Sequence, residues 1–296
     1  MPSPAAPNPI GVHALVWVGG WTEPEARTAV ESTKAAGYDL IEIPLLDPWS
    51  VDVKMTRRLL EEHQLGMSAS LGLSPETDVS SEDPTVVRAG ERLLRQAADV
   101  VRDLGGDYLC GVIYCNLGKY AGPPTDRGRA NSVQAIQRLA DHAAASGISL
   151  GIEVVNRYES NLFNTARQAL QFIAEVDRSN VHVHLDTYHM NIEEPDMVSP
   201  VLQCADRLGY VHVGESHRGY LGSGSVDYAG FFRALAQVGY AGTITFESFS
   251  STVVSPVLSN MLAIWRNLWE DSGDLARHAR SFIDGHLRAV ASIKHH

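Results

Sequence analysis

A single (β/α)8 TIM barrel, of the α/β class, accounts best for this 296-residue chain. Three observations carry that reading. Apolar β-like runs alternate with helical patterns from end to end, at about 37 residues per pair, the length of one strand and its crossover helix. Neither G-x-G-x-x-G nor G-x-x-x-x-G-K-[ST] follows any of these runs, which disfavours a doubly wound open sheet. Four runs in the second half end on, or beside, an ionisable residue, as expected where parallel strands bring their C-termini to one rim.

The elements follow in order. Strands are predicted at 11–17, 38–45, 66–73, 107–114, 148–155, 181–186, 208–214 and 242–248. Helical patterns lie at roughly 23–36, 51–64, 84–104, 129–146, 165–177, 198–206, 227–238 and 255–270, with a last one at 274–293. Thr22, Asn164 and Asp227 stand where N-caps belong. Gly37, Gly66, Gly105, Gly106, Gly147, Gly239 and Gly242 sit in helix-to-strand connections, the place for C-cap chemistry. The segments after strands 3, 4 and 6 are longer than a connection needs, and in a barrel they shape the pocket. Within 255–270, Met261, Ile264, Trp265, Leu268 and Trp269 recur near helical spacing. That stripe should cover the barrel and leave an apolar strip for a subunit contact. No Pro/Gly/Ser-rich linker divides the chain, so one domain is expected over 11–296, after a Pro/Ala-rich flexible tail at 1–10.

Composition narrows the function. A formal net charge of −11 argues against binding a nucleic-acid backbone, which needs Lys and Arg to displace counterions. It suits a soluble protein acting on a neutral small molecule. The tail carries neither a basic nor an apolar segment of a signal peptide, and no apolar run is long enough to span a membrane. Cys110, Cys115 and Cys204 make neither a disulfide framework nor a zinc-finger spacing, and suit a reducing, cytoplasmic compartment. Cys110 and Cys115 read as packing residues.

Glu153, Asp186, His212 and Glu247 lie 33, 26 and 35 residues apart, each gap about one strand plus one helix. Singly, each has an ordinary reading: a strand-end Glu paired with an Arg, or a histidine buried in a core. Jointly, buried ionisable residues at successive strand ends need a common counter-charge. Three carboxylates and one imidazole suit a hard or borderline divalent cation. His184 shares the pleat of Asp186 and is a candidate to hydrogen-bond to a ligand, whereas His182 reads as a satisfied core histidine. Glu159, His189 and Arg218 follow these strand ends closely enough to reach a bound substrate, or else are solvent-facing loop residues. Trp17, Trp21, Leu71, Tyr114 and Leu117 either wall off a carbon chain or belong to the core.

The runs Glu153-Val-Val-Asn-Arg-Tyr-Glu159, His184-Leu-Asp-Thr-Tyr-His-Met-Asn-Ile-Glu-Glu194 and His212-Val-Gly-Glu-Ser-His-Arg-Gly219 resemble the ketose 3-epimerases. These are the D-tagatose, D-allulose (D-psicose) and L-ribulose 3-epimerases of the xylose-isomerase-like barrels. HALVW, SASLGLS and GESHRGYLG are similar to the actinobacterial and rhizobial branch acting on D-allulose and L-ribulose. The resemblance implies one Mn²⁺ (Co²⁺ or Mg²⁺ in its place) on Glu153, Asp186, His212 and Glu247, and no organic cofactor. It implies Glu153 and Glu247 as the acid/base pair inverting C3 through an enediolate. Glu159, His189 and Arg218 would hold the O1–O2 end of a free ketose, and the protein would be a homodimer or homotetramer. The chain departs from some members at HALVWVGGW and YCNLGKY, which bear on sugar preference.

Other activities compete. An aldose–ketose isomerase or a polyol dehydratase uses the same kind of barrel and metal. A DNA-repair endonuclease wants more metal-binding His and a basic face. A non-enzymatic sugar-binding protein has no reason to gather two Glu and a His at one point.

Overall fold

The computed structural model describes residues 8–293. Eight parallel strands close into a barrel in sequence order, so every crossover joins neighbours. They are β1 (Ile10–His13), β2 (Leu40–Pro44), β3 (Gly66–Leu73), β4 (Tyr108–Asn116), β5 (Ser149–Glu153), β6 (Val181–Asp186), β7 (Leu208–Val213) and β8 (Thr243–Phe246). All eight expected strands are present. The helices are α1 (Glu23–Ala35), α2 (Val53–His63), α3 (Pro84–Leu104), α4 (Asp126–Ala144), α5 (Ala166–Val176), α6 (Thr187–Glu193), α7 (Ser199–Cys204), α8 (Tyr228–Gln237), α9 (Pro256–Met261) and α10 (Ser272–Ile293). Val12, Ile41, Ile43, Ala69, Ile152, Val183, Val211 and Ile244 are fully buried and belong to one continuous apolar core. Cys110, Cys115 and Cys204 are buried free thiols, which fits packing.

Local chemistry sets most boundaries. Thr22 and Glu25 close a capping box on α1, and Asp227 accepts from Gly230 N–H to start α8. Loss of the Asp227 side chain in Asp227→Ala is expected to cost about 1 kcal/mol. A lower urea midpoint, at unchanged slope, is the measurement that checks it. The cap of α5 is Thr165, one residue later than expected; Asn164 donates instead to the Val155 and Ser160 carbonyls. Gly37, Gly105, Gly147 and Gly239 adopt positive φ at helix ends, whereas Gly66 opens β3 and Gly242 has no such backbone.

Four further expectations change. β1 stops at His13 rather than Trp17, because the His13 ring accepts from Leu15 N–H and starts a 3-10 turn. The stretch after β6 is not a plain loop: Asp186 accepts from Tyr188 N–H and caps α6. The amphipathic pattern at 255–270 is helical only to Met261. Ile264 N–H returns to Ser259 O, Ala263 takes φ +54, Thr252 donates to Asn267 and Ser251 N–H to Arg266 O, so the segment lies as a strap. Leu262 and Ile264 pack on Leu15, Phe249, Val254 and Leu258, while Met261 (44 %) and Trp265 (72 %) stay exposed. Finally, the tail expected over 1–10 ends earlier, since Asn8 donates to the Tyr240 and Gly242 carbonyls and Ile10 opens β1. Residues 1–7 and 294–296, the terminal His pair included, lie outside the described residues.

Candidate active site

Strand register assembles the site at the C-terminal rim. Glu153 and Asp186 end β5 and β6, His212 lies level with Asp186 on β7, and Glu247 follows β8 directly. Each of the four offers a ligand atom, and these atoms lie within 4.8 Å of one another. All four side chains are buried. His212 Nδ1 points at Glu247 Oε1 (3.3 Å) and Glu153 Oε1 (3.6 Å) with no hydrogen-bond partner. His212 Nε2 is bonded to Glu42 Oε2 at 2.8 Å. Among the described residues a second trio, Cys110, His184 and His212, shares His212 with the first cluster.

The structure also brings together the three expected neighbours. The α6 turn places His189 one helical turn beyond Asp186. Asn156 donates to His189 Nδ1 through its backbone (3.2 Å) and side chain (2.8 Å). That leaves the His189 Nε2 proton facing Asp186 (3.6 Å), Glu153 (3.7 Å) and Glu159 (3.9 Å). Asn156 also donates to Glu159 Oε1 at 2.9 Å. Arg218 lies 3.3 Å from Asp186 and contacts Glu247. Its guanidinium is packed between the rings of Tyr188 (3.8 Å) and Phe249 (5.0 Å). Arg218 holds φ +63, a conformation disfavoured for a side-chain-bearing residue and one met at functional sites. Beside this group a cavity of about 130 Å³ opens, lined by Glu159, Tyr188, Arg218, Phe249 and the 262–268 strap.

The charges are unbalanced in a telling way. Burial pushes the Glu153 and Asp186 carboxyls up to about 7, against the opposing pull of His212 on Glu153 and Arg218 on Asp186. Burial likewise pushes Glu159 up to about 7. Burial also acts to raise Glu247, but His212 and Arg218 together hold it below the usual carboxylate range. Burial keeps His184 and His189 well below the usual histidine range. His212 goes the other way: desolvation is outweighed by Glu42 and Glu247. Several carboxylates thus share one buried pocket with too little positive charge. Oxygen donors plus one free imidazole nitrogen are the set a hard or borderline divalent cation takes, so the residues present fit such an ion.

Some expectations fail here. His184 donates to no ligand; both ring nitrogens lack partners, and the ring packs edge-on against His212 at 4.1 Å. The hydrogen bond expected of it is made by Glu42. His182 is half-buried with Nδ1 unpartnered, so it is not a satisfied core histidine. None of Trp17, Leu71, Tyr114 and Leu117 lines the cavity. Trp17 turns outward to Thr33, and Trp21 to Thr56. Leu71 sits on the pleat opposite Ser68 and Ser70, whose hydroxyls meet Tyr210 and His13. Tyr114 stacks on Phe163 at 4.1 Å and donates to Glu153 O, supporting the strand from behind. Leu117 lies where a Cβ on Gly72 would stand, 2.5 Å away. The wall is instead Tyr188, Phe249, Leu262, Ile264, Trp265 and Leu268. Glu42, Asn156 and Phe249 escaped the sequence reading, although Asn156 lies inside the quoted E-V-V-N-R run.

Comparison with known proteins places this geometry. The family described as "Xylose isomerase-like TIM barrel" matches residues 30–284. L-ribulose 3-epimerase of Methylomonas sp. (strain DH-1) is 60 % identical over 92 % of this chain and 96 % of its own length. A ketose 3-epimerase of Arthrobacter globiformis is 56 % identical over 97 % of this chain and 99 % of its own. The crystal structure of D-allulose 3-epimerase from Methylomonas sp. in complex with D-allulose superposes with a TM-score of 0.93 at 59 % identity, covering 96 % of this chain and 98 % of that one. With the rim geometry and these likenesses together, the chain belongs to the xylose isomerase-like TIM barrels and, within them, to the ketose 3-epimerases.

Proposed function

We propose that this protein is a metal-dependent isomerase that interconverts the C3 epimers of free ketoses, taking in the pairs D-allulose/D-fructose, L-ribulose/L-xylulose and D-tagatose/D-sorbose. The observation that carries the reading is the convergence of Glu153 and Glu247 on His212 Nδ1 from strands three places apart around the rim. Two carboxylates reaching one point from different parts of the rim are what a C3 inversion needs, because the proton leaves one face and returns to the other.

Glu153, Asp186, His212 and Glu247 would hold the cation, Mn²⁺ with Co²⁺ or Mg²⁺ as substitutes. When bound, such an ion supplies Lewis-acid polarisation of a ketose oxygen. The chain's own residues do the rest. One of Glu153 and Glu247 removes the proton alpha to the C2 carbonyl, and the other returns it on the opposite face of the enediolate. Arg218, His189 and Glu159 hold the O1–O2 end through N–H donors and a carboxylate acceptor. Tyr188, Phe249 and the 262–268 strap exclude water from the reacting carbons.

A ketose panel run with and without Mn²⁺, with product identification, tests the function. Epimers alone are expected. An aldose product would point to carbonyl transfer between C1 and C2, and loss of water to a dehydratase. In D₂O each turnover should leave deuterium at C3, read by proton NMR; unlabelled product rules out direct proton abstraction. Homodimeric or homotetrameric assembly and a cytoplasmic setting complete the proposal. No helix among the described residues is long and apolar enough to cross a membrane.

A further inference from the structure

Glu42 is a buried carboxylate beside the site for which the proposed chemistry has no use. It lies on the inner face of β2, level with His13 and Ser68, and is fully buried. Its Oε2 accepts from His212 Nε2 at 2.8 Å and from the Tyr210 hydroxyl at 2.9 Å. Tyr210 is in turn 2.6 Å from Ser68 Oγ and 2.7 Å from Thr245 Oγ1. The other oxygen, Oε1, stands 3.5 Å from His13 Nε2. The His13 Nδ1 accepts from Leu15 N–H, so the ring's proton lies on Nε2, which bonds to Ser70 Oγ at 3.1 Å rather than to Glu42. A carboxylate without solvent is thus held through Oε2 by one imidazole N–H and one hydroxyl, while Oε1 has no hydrogen-bond partner. A buried carboxylate with one oxygen unpaired depends all the more on the two bonds its other oxygen keeps.

We propose that Glu42 is a positioning residue: by accepting the Nε2 proton of His212 it fixes the ring and leaves the Nδ1 lone pair facing Glu153 and Glu247. The inference rests on the metal-dependent reading above. An imidazole has one proton to place when neutral. If Glu42 takes it at Nε2, Nδ1 is a ready donor to a cation; without that acceptor, Nδ1–H becomes an equal option and blocks it. His184 is no substitute, since it packs on the ring but bonds to neither nitrogen. A role confined to holding the strands together makes a different prediction. Then any break in the Ser68, Tyr210, Thr245 and Glu42 network should act alike.

The test is Mn²⁺ affinity, measured by titration calorimetry or by the EPR signal of free Mn²⁺, on the parent, Glu42→Gln and Tyr210→Phe. An amide can turn its NH₂ toward His212, so Glu42→Gln is expected to weaken binding about 10–100-fold. Tyr210→Phe removes a neighbouring bond from the same carboxylate but keeps the Glu42–His212 contact, and should change affinity little. Parent-like binding by Glu42→Gln, or an equal loss in both variants, overturns the positioning role. Should Glu42→Gln fail to fold, the folded parent loaded with Mg²⁺ answers the same question by ¹⁵N-histidine NMR. An Nε2 proton on His212 shifted downfield by a hydrogen bond to a carboxylate supports the role; an unshifted Nε2 proton, or a proton on Nδ1, overturns it. Absence of Mn²⁺ binding by the parent sinks the metal-dependent reading itself, a result distinct from the others.

Discussion

Glu247→Gln and Glu153→Gln each lose C3 epimerisation, by at least the ~10²–10⁴-fold that a positioned acid or base contributes. Both variants must fail in both directions. Epimerisation is reversible, and the group that removes the proton from one epimer returns it to the other. No single replacement can therefore spare one direction of turnover. The partial reactions do separate the two residues. With saturating Mn²⁺, the variant that keeps Glu247 should still exchange the C3 hydrogen of one epimer with D₂O and return it unchanged. The variant that keeps Glu153 should do the same for the other epimer only. The two glutamates come from β5 and β8, so they approach the same point from different parts of the rim. Gln preserves shape and one oxygen donor, which keeps the metal contribution comparable. A variant with near wild-type kcat, or with exchange of both epimers, would remove that glutamate from the proton path.

Much of this was legible in the chain, for a physical reason. Parallel strands joined by single helices put each strand's last residue at one rim, so spacing alone identified Glu153, Asp186, His212 and Glu247. Residues just beyond those ends, Glu159, His189 and Arg218, inherit the position. What spacing could not show is which residues meet across the barrel. Glu42 reaches His212 from 170 positions away, and only the closed register puts the two in contact. His184 shares the pleat of Asp186, which made it the expected partner, but its ring packs edge-on against His212 and neither of its nitrogens is bonded. The pocket wall failed differently. Trp17 and Tyr114 lie near strand ends but point into the helix layer, and the cavity beside Arg218 is lined partly by the 262–268 strap. That strap carries a helical apolar pattern yet is held open by Ser259, Thr252 and Asn267.

Metal-free protein is expected to lose epimerase activity altogether and regain it with Mn²⁺. Its stability should also acquire a distinctive pH dependence. Without a cation, Glu153, Asp186 and Glu159 are pushed up to about 7 by burial, whereas their unfolded values lie at about 4. Between those limits the folded state binds more protons than the unfolded state. Stability then falls as pH rises. Below about pH 6.5 the buried His13, His184 and His189, all held low, act with the opposite sign, because unfolding lets them take up protons. His212, held high by Glu42 and Glu247, adds to the fall above about pH 6.5, because the unfolded imidazole has then lost the proton that the folded one keeps, and the lowered Glu247 matters only in acid. With the buried histidines that are held low no longer opposing it, the combined fall from the carboxylates and His212 should show between about pH 6.5 and 8. There the Tm of the metal-free protein should drop. Mn²⁺ competes with those same protons, so the Tm gain it gives should grow over the same interval. At 100 times the Kd the gain corresponds to about 2.7 kcal/mol. Full activity in a verified metal-free sample would sink the metal requirement. A Tm gain that does not depend on pH would show that the ion binds elsewhere than among these carboxylates.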